Sequence, residues 1–142
     1  MFRNLIRSSR KGQALVEAAL SILVFLCMLL GIIDFGLYLY FSQGLVERTR
    51  AAARYAILDP TQTDKIKNMA IYNTPTPTDA TPRLLPALTS NMISIATADL
   101  GTPEGRVSVT ISNYPISFVT PGLAGTFTAR PSSVTYPSEA PW

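Results

Sequence analysis

From Leu20 to Phe41 the chain is apolar apart from Ser21 and Asp34, and no proline interrupts it. A helix of about 20 such residues crosses the ~30 Å hydrocarbon core of a bilayer, so this run constrains the fold more than any other. The sequence predicts one long helix from Ala14 to about Leu58, with a transmembrane part over about residues 18–41. Tyr38, Tyr40 and Phe41 cluster near the end of the run, where amphipathic rings favour the headgroup layer.

What precedes the run is equally informative. Arg3, Arg7, Arg10 and Lys11 lead to Gly12-Gln13-Ala14-Leu15-Val16-Glu17. An ordinary secretory signal places its apolar region before the cleavage site. Here the apolar run follows the glycine, and the stretch resembles the processing site of type IV prepilins; a cut after Gly12, which that resemblance implies, would leave the anchor on the mature chain. The basic residues would hold the leader on the cytoplasmic side. Glu17 is the anomaly, because an ionised carboxylate facing lipid costs a few kcal/mol and normally meets a partner. A free amine at Gln13, on this chain or a neighbour, would serve; alternatively Glu17 marks the interfacial start of a lone anchor helix.

Gly31, Asp34 and Gly36 form a second feature. The glycines permit close helix approach, and a buried carboxylate would seek a donor across that contact. The alternative is that Asp34 lies near the outer interface and reaches water. Beyond the apolar run, Leu45, Thr49, Ala52, Ala53 and Ala56 recur near helical spacing and predict an amphipathic extension. Arg48, Arg50 and Arg54 are read as a solvated face. Asp59-Pro60 ends the helix, because a residue before proline disfavours the α region.

The ordered set Gly12-Gln13-Ala14-Leu15-Val16-Glu17-Ala18-Ala19-Leu20, Gly31-Ile32-Ile33-Asp34-Phe35-Gly36 and Ala51-Ala52-Ala53-Arg54-Tyr55-Ala56 resembles the TadE-like family. These are the pseudopilins of tight-adherence (Flp) pilus systems, with a type IV prepilin-like leader. Ala18 departs from the aromatic residue that many members carry after the glutamate. The resemblance implies cleavage between Gly12 and Gln13 by a prepilin peptidase. It also implies an assembly role for Glu17 opposite the amino terminus of an adjacent subunit. The partners implied are that peptidase, other pilin-like subunits with their assembly machinery, and the lipid bilayer.

The rest of the chain reads as a small head. Thr63–Tyr72 predicts a short helix, and Asn73–Pro86, rich in Pro and Thr, predicts an irregular linker. Met92–Ala98 and Arg106–Ser112 predict an antiparallel hairpin around a turn over Asp99–Gly105, since Val107, Val109 and Ile111 alternate with Ser108, Thr110 and Ser112. Ile116–Val119, Thr126–Ala129 and Val134–Tyr136 predict one or two further short strands, and Pro137–Trp142 a loose tail. The expected organisation is a leader over 1–12, a long helix over 13–58, a short helix and linker over 59–91, and a β-rich extracytoplasmic head over 92–142. The fold class is α+β, a pilin-like long helix carrying a small antiparallel sheet. A head this small buries little surface alone, so it is expected to pack on the amphipathic part of the helix.

Charge and composition narrow the function. Of the 12 Lys and Arg residues four lie in the leader, so the remainder balances 8 basic against 9 acidic residues. The basicity is topogenic, and no nucleic-acid partner is expected. The lone Cys27 reads as a small apolar side chain. With no histidine, the commonest general base and metal ligand is missing. Asp99 and Glu104 bracket one loop without the ligand density of a calcium site. No catalytic residue, metal or cofactor is expected, and the chain reads as a substrate of enzymes rather than an enzyme. The competing reading is a permanently anchored extracytoplasmic binding or accessory module with an uncleaved N-terminal anchor. A small secreted domain with an atypical signal is a third, disfavoured by the uninterrupted helix.

Overall fold

The computed structural model describes the backbone of residues 3–120 and 127–138, and the side chains from residue 12 onward within those ranges. Helix α1 runs from Arg3 to Leu58 and α2 from Thr63 to Tyr72. A 3-10 turn over Ser90–Met92 leads into five strands: β1 (Ile93–Ala98), β2 (Arg106–Ile111), β3 (Pro115–Ile116), β4 (Phe127–Thr128) and β5 (Ser132–Pro137). The chain therefore has the predicted α+β class: a long N-terminal apolar helix and a small antiparallel sheet region. It divides into two compact units, Met1–Leu37 with Phe118–Ala124, and Tyr38–Ser117 with Gly125–Trp142.

The first unit is dominated by the apolar half of α1. The helix is already formed at Arg3, ahead of the expected Ala14, because residues 3–13 contain no proline and several good helix formers. From Gly12 to Ile33 nearly every side chain is exposed, including Leu15, Leu20, Leu23, Phe25, Met28 and Ile32. Cys27 is exposed and free. Among the described residues this is the one helix long and apolar enough to cross a membrane.

The second unit has a core. On α1, Leu45, Thr49, Ala52, Ala53 and Ala56 are all buried, the face that the periodicity predicts. Thr49 donates its hydroxyl to the Leu45 carbonyl at 2.8 Å, so the one polar side chain on this face is satisfied. Arg50 and Arg54 are exposed as expected, while Arg48 Nη1 donates to Asn73 Oδ1 at 3.0 Å. The helix stops where Asp59 turns its carboxylate back on Thr61 and Gln62. Oδ1 accepts from the Thr61 amide at 3.2 Å and from its hydroxyl at 2.7 Å, and Oδ2 accepts from Gln62 Nε2. Helix α2 occupies the residues predicted and buries Ile66, Ala70 and Ile71. It ends on Asn73 in the left-handed region, whose N–H bonds the Met69 carbonyl.

The Pro/Thr-rich stretch is irregular, as predicted, but it is not a bare linker. Leu85 and Leu88 are 4% and 0% exposed. A Cβ at Gly44 would stand 3.3 Å from Leu85 Cδ2, so glycine on α1 leaves the space that this leucine fills. Nearby, the Phe41 and Tyr114 rings lie 5.8 Å apart between centroids.

The main sheet has the order β1-β2-β5. The predicted hairpin is present, with Ile93 opposite Ile111, Ile95 opposite Val109 and Thr97 opposite Val107. On the other side β5 sets Val134 against Val109 and Tyr136 against Val107. Strand β2 is therefore central, which is why its alternation is the cleanest: Val107, Val109 and Ile111 are buried while the residues between them are not. The opposite face is lined with hydroxyls. Thr110 and Ser133 approach to 2.8 Å, and Thr135 donates to Ser108 at 3.1 Å.

Two expectations change. The strand expected over Ile116–Val119 is limited to Pro115–Ile116, paired with β4. Val119 and Thr120 spend their amides elsewhere, as shown below. Pro137 closes β5, and Ser138 is buried with its N–H on the Gly105 carbonyl at 2.8 Å, so the tail is ordered to that point. Residues 121–126 and 139–142, which include part of the expected Thr126–Ala129 strand, lie outside the described residues.

Candidate assembly helix and the Asp34 clasp

Arg3, Arg7, Arg10 and Lys11 fall in the opening turns of α1, and the helix continues without a break through Gly12 and Gln13. Gly12 is exposed, and a Cβ built on it meets nothing within 4 Å. Glycine lowers helix stability by about 1 kcal/mol relative to alanine, which makes this the easiest place nearby to open the backbone. One turn and a half further on, Glu17 is exposed on a surface of Ala14, Leu15, Val16 and Leu20. Its carbonyl accepts the Ser21 hydroxyl at 2.9 Å, but its carboxylate has no partner among the described residues.

Gly31 and Gly36 are likewise open, with nothing within 4 Å of a built Cβ. Asp34 between them behaves differently. It is 5% exposed although its neighbours Ile33 and Phe35 are 43% and 63% exposed. Its Oδ1 accepts from the Val119 amide at 2.7 Å, and its Oδ2 from the Thr120 amide at 3.1 Å and from the Thr120 hydroxyl. The donors come from the chain's own Val119 and Thr120, two backbone amides and one hydroxyl. Charge-assisted bonds of this kind are about twice as strong as neutral ones, so the clasp fixes this loop to α1 within the first unit.

Two groups away from the apolar run have shifted acidities. The Thr61 hydroxyl holds the Asp59 carboxyl below its ordinary 3.8, with the Gln62 side chain, the Thr61 amide and Lys65 adding to the effect. Burial pushes the Tyr114 phenol up from its ordinary 10.0, partly offset by a backbone hydrogen bond with Ala87. No group of three or more His, Cys, Asp and Glu among the described residues could hold a metal ion.

An exposed apolar helix long enough to cross a bilayer, followed by a small antiparallel sheet, defines an α+β chain of pilin-like architecture. Residues 12–54 match the family model for TadE-like proteins. That match lies wholly within α1 and contains Gly12, Glu17, Gly31, Asp34 and Gly36, so over this segment the chain is similar to TadE-like proteins. No curated protein and no solved structure matches the chain.

Thr120 and Val119 were not legible as partners of Asp34. The one available signal is that residues 114–129, around this loop, carry no charge.

Proposed function

We propose that this chain is a minor pseudopilin that contributes to assembly of a tight-adherence (Flp, type IV-like) pilus or a related secretion apparatus. The observation that carries the reading is the TadE-like match over residues 12–54, on a helix whose apolar surface is exposed and whose Glu17 carboxylate has no partner among the described residues. A membrane supplies a solvent for the first and a neighbouring subunit a partner for the second.

In this reading a prepilin peptidase cuts between Gly12 and Gln13, leaving Arg3, Arg7, Arg10 and Lys11 on the released cytoplasmic leader. The mature helix stays in the cytoplasmic membrane as a single pass, with the sheet-bearing part outside the cytoplasm. Glu17 pairs with an amino-terminal amine of an adjacent pilin-like subunit, and the open Gly31 and Gly36 admit a helix at close range. The chain performs no chemistry of its own and requires no cofactor.

The test is the intact mass and N-terminal sequence of the protein extracted from native membranes. A chain beginning at Gln13, with cleavage lost in Gly12→Leu, supports the reading. A chain still beginning at Met1 in cells with an active prepilin peptidase replaces it with a permanently anchored accessory module.

A further inference from the structure

Asp34 and its clasp bear on where the bilayer ends. Counting from Lys11, whose charge belongs in the inner headgroup layer, Gly12 to Asp34 spans about 33 Å at 1.5 Å per residue. The hydrocarbon core is about 30 Å thick. A helix entering at Gly12 therefore leaves the hydrocarbon beside Asp34. Placing the span over 18–41 instead would sink Asp34 about 10 Å below the outer edge. That would carry the non-helical backbone of Val119 and Thr120 into hydrocarbon with it. Lipid-exposed irregular backbone is not tolerated at such depth, because its remaining polar groups find no donors or acceptors there.

The loop's composition suits the boundary itself. Val119 is 56% exposed, and its amide is bonded to Asp34, whose neighbours Ile33 and Phe35 are also exposed. Apolar surface thus continues from the helix onto the loop. Residues 114–129, around the loop, carry no charge to hold it in water. Tyr38 follows Asp34 by about 6 Å along the helix, which puts its ring in the headgroup layer.

We propose that the Asp34 clasp marks the outer surface of the bilayer and that Phe118–Thr120 lies in the outer headgroup layer with Val119 against lipid. The loop is then a second, interfacial membrane contact beside the helix, and Asp34 is its positioning residue. This rests on the membrane-anchored part of the reading above and is counted on the full chain, in which Lys11 is still attached. It also sets Glu17 about 7 Å inside the inner leaflet, where an unpaired carboxylate is most in need of a partner.

The experiment uses the full chain in phosphatidylcholine–phosphatidylglycerol vesicles, with Trp142→Phe removing the native tryptophan. Val119→Trp and Leu23→Trp are compared in lipids brominated either near the carbonyl or deep in the acyl chain. Val119→Trp is expected to emit at shorter wavelength than in water and to be quenched more by shallow than by deep bromine. Leu23→Trp is expected to show the reverse order. Adding Asp34→Ala should lower the quenching of Val119→Trp while leaving that of Leu23→Trp unchanged. Quenching at Leu23 with none at Val119 overturns the proposal and leaves the loop for a protein neighbour. Stronger quenching of Val119→Trp by deep bromine overturns the boundary assignment. Absence of quenching at both positions overturns the membrane reading itself.

Discussion

Leu88→Ala should weaken the Tyr38–Ser117 unit far more than its place in a Pro- and Thr-rich stretch suggests. The side chain is fully buried, whereas Leu84, four residues earlier, is 48% exposed. Truncation removes the γ and both δ carbons, worth about 0.8 kcal/mol each in transfer from water. Incomplete collapse around the vacancy adds a cavity contribution, so the loss is about 3 kcal/mol, inside the range of roughly 2–5 for buried leucines. At a slope of about 1.5 kcal/mol per molar urea the midpoint falls by about 2 M. The assay is urea titration of the full chain in detergent micelles, read by pulse proteolysis and by hydrogen exchange at the β2 amides. Leu84→Ala is the internal control and should shift the midpoint by less than about 0.5 M. Equal small shifts for both variants would refute the assignment of Leu88 to the core. The stretch would then be the bare linker that its composition suggests.

Other perturbations test other parts of the structure. A Cβ at Gly105 would stand 2.9 Å from the Asp99 carbonyl oxygen and also clash with Ser138 Oγ. Gly105→Ala should therefore cost about 1–3 kcal/mol in the same titration, and Ser138→Ala should recover only part of it because the backbone oxygen remains. Asp59 has a folded-state acidity below its unfolded 3.8, so its contribution is complete above that pH and fades as pH falls through the lower folded value. Exchange at the Thr61 amide should accelerate, after correction for intrinsic rates, only in that acidic window, and Asp59→Asn should abolish the dependence. Glu17→Ala should leave membrane insertion intact and reduce pilus assembly; wild-type piliation measured by electron microscopy would remove its proposed role.

How far the chain could be read depended on the range over which each contact acts. Helices α1 and α2 were legible because helical periodicity, the absence of proline through Leu58 and the Asp59-Pro60 stop are local signals. The β1–β2 hairpin was legible from the alternation of Val107, Val109 and Ile111. The neighbour on the far side of β2 was not, since a short alternating strand such as β5 fits either edge. Leu85 and Leu88 were hidden because proline content reports backbone irregularity and says nothing about what side chains pack on. The Asp34 clasp was beyond reach for a stronger reason: its partners are 85 and 86 residues away in sequence. The sequence left Asp34 between a donor across a helix contact and water at the outer interface, and no local pattern pointed to Val119 or Thr120.

The outer face of the β1-β2-β5 sheet is stitched by hydroxyl groups rather than charges, and in the Thr110–Ser133 and Ser108–Ser133 contacts either oxygen can donate. Mobile ions screen charges, but they have little purchase on neutral hydrogen bonds. The cross-strand lattice of Ser108, Thr110, Ser133 and Thr135 should thus hold equally well in dilute and in saline surroundings. A face held together in this way keeps its contacts whatever the ionic strength around it.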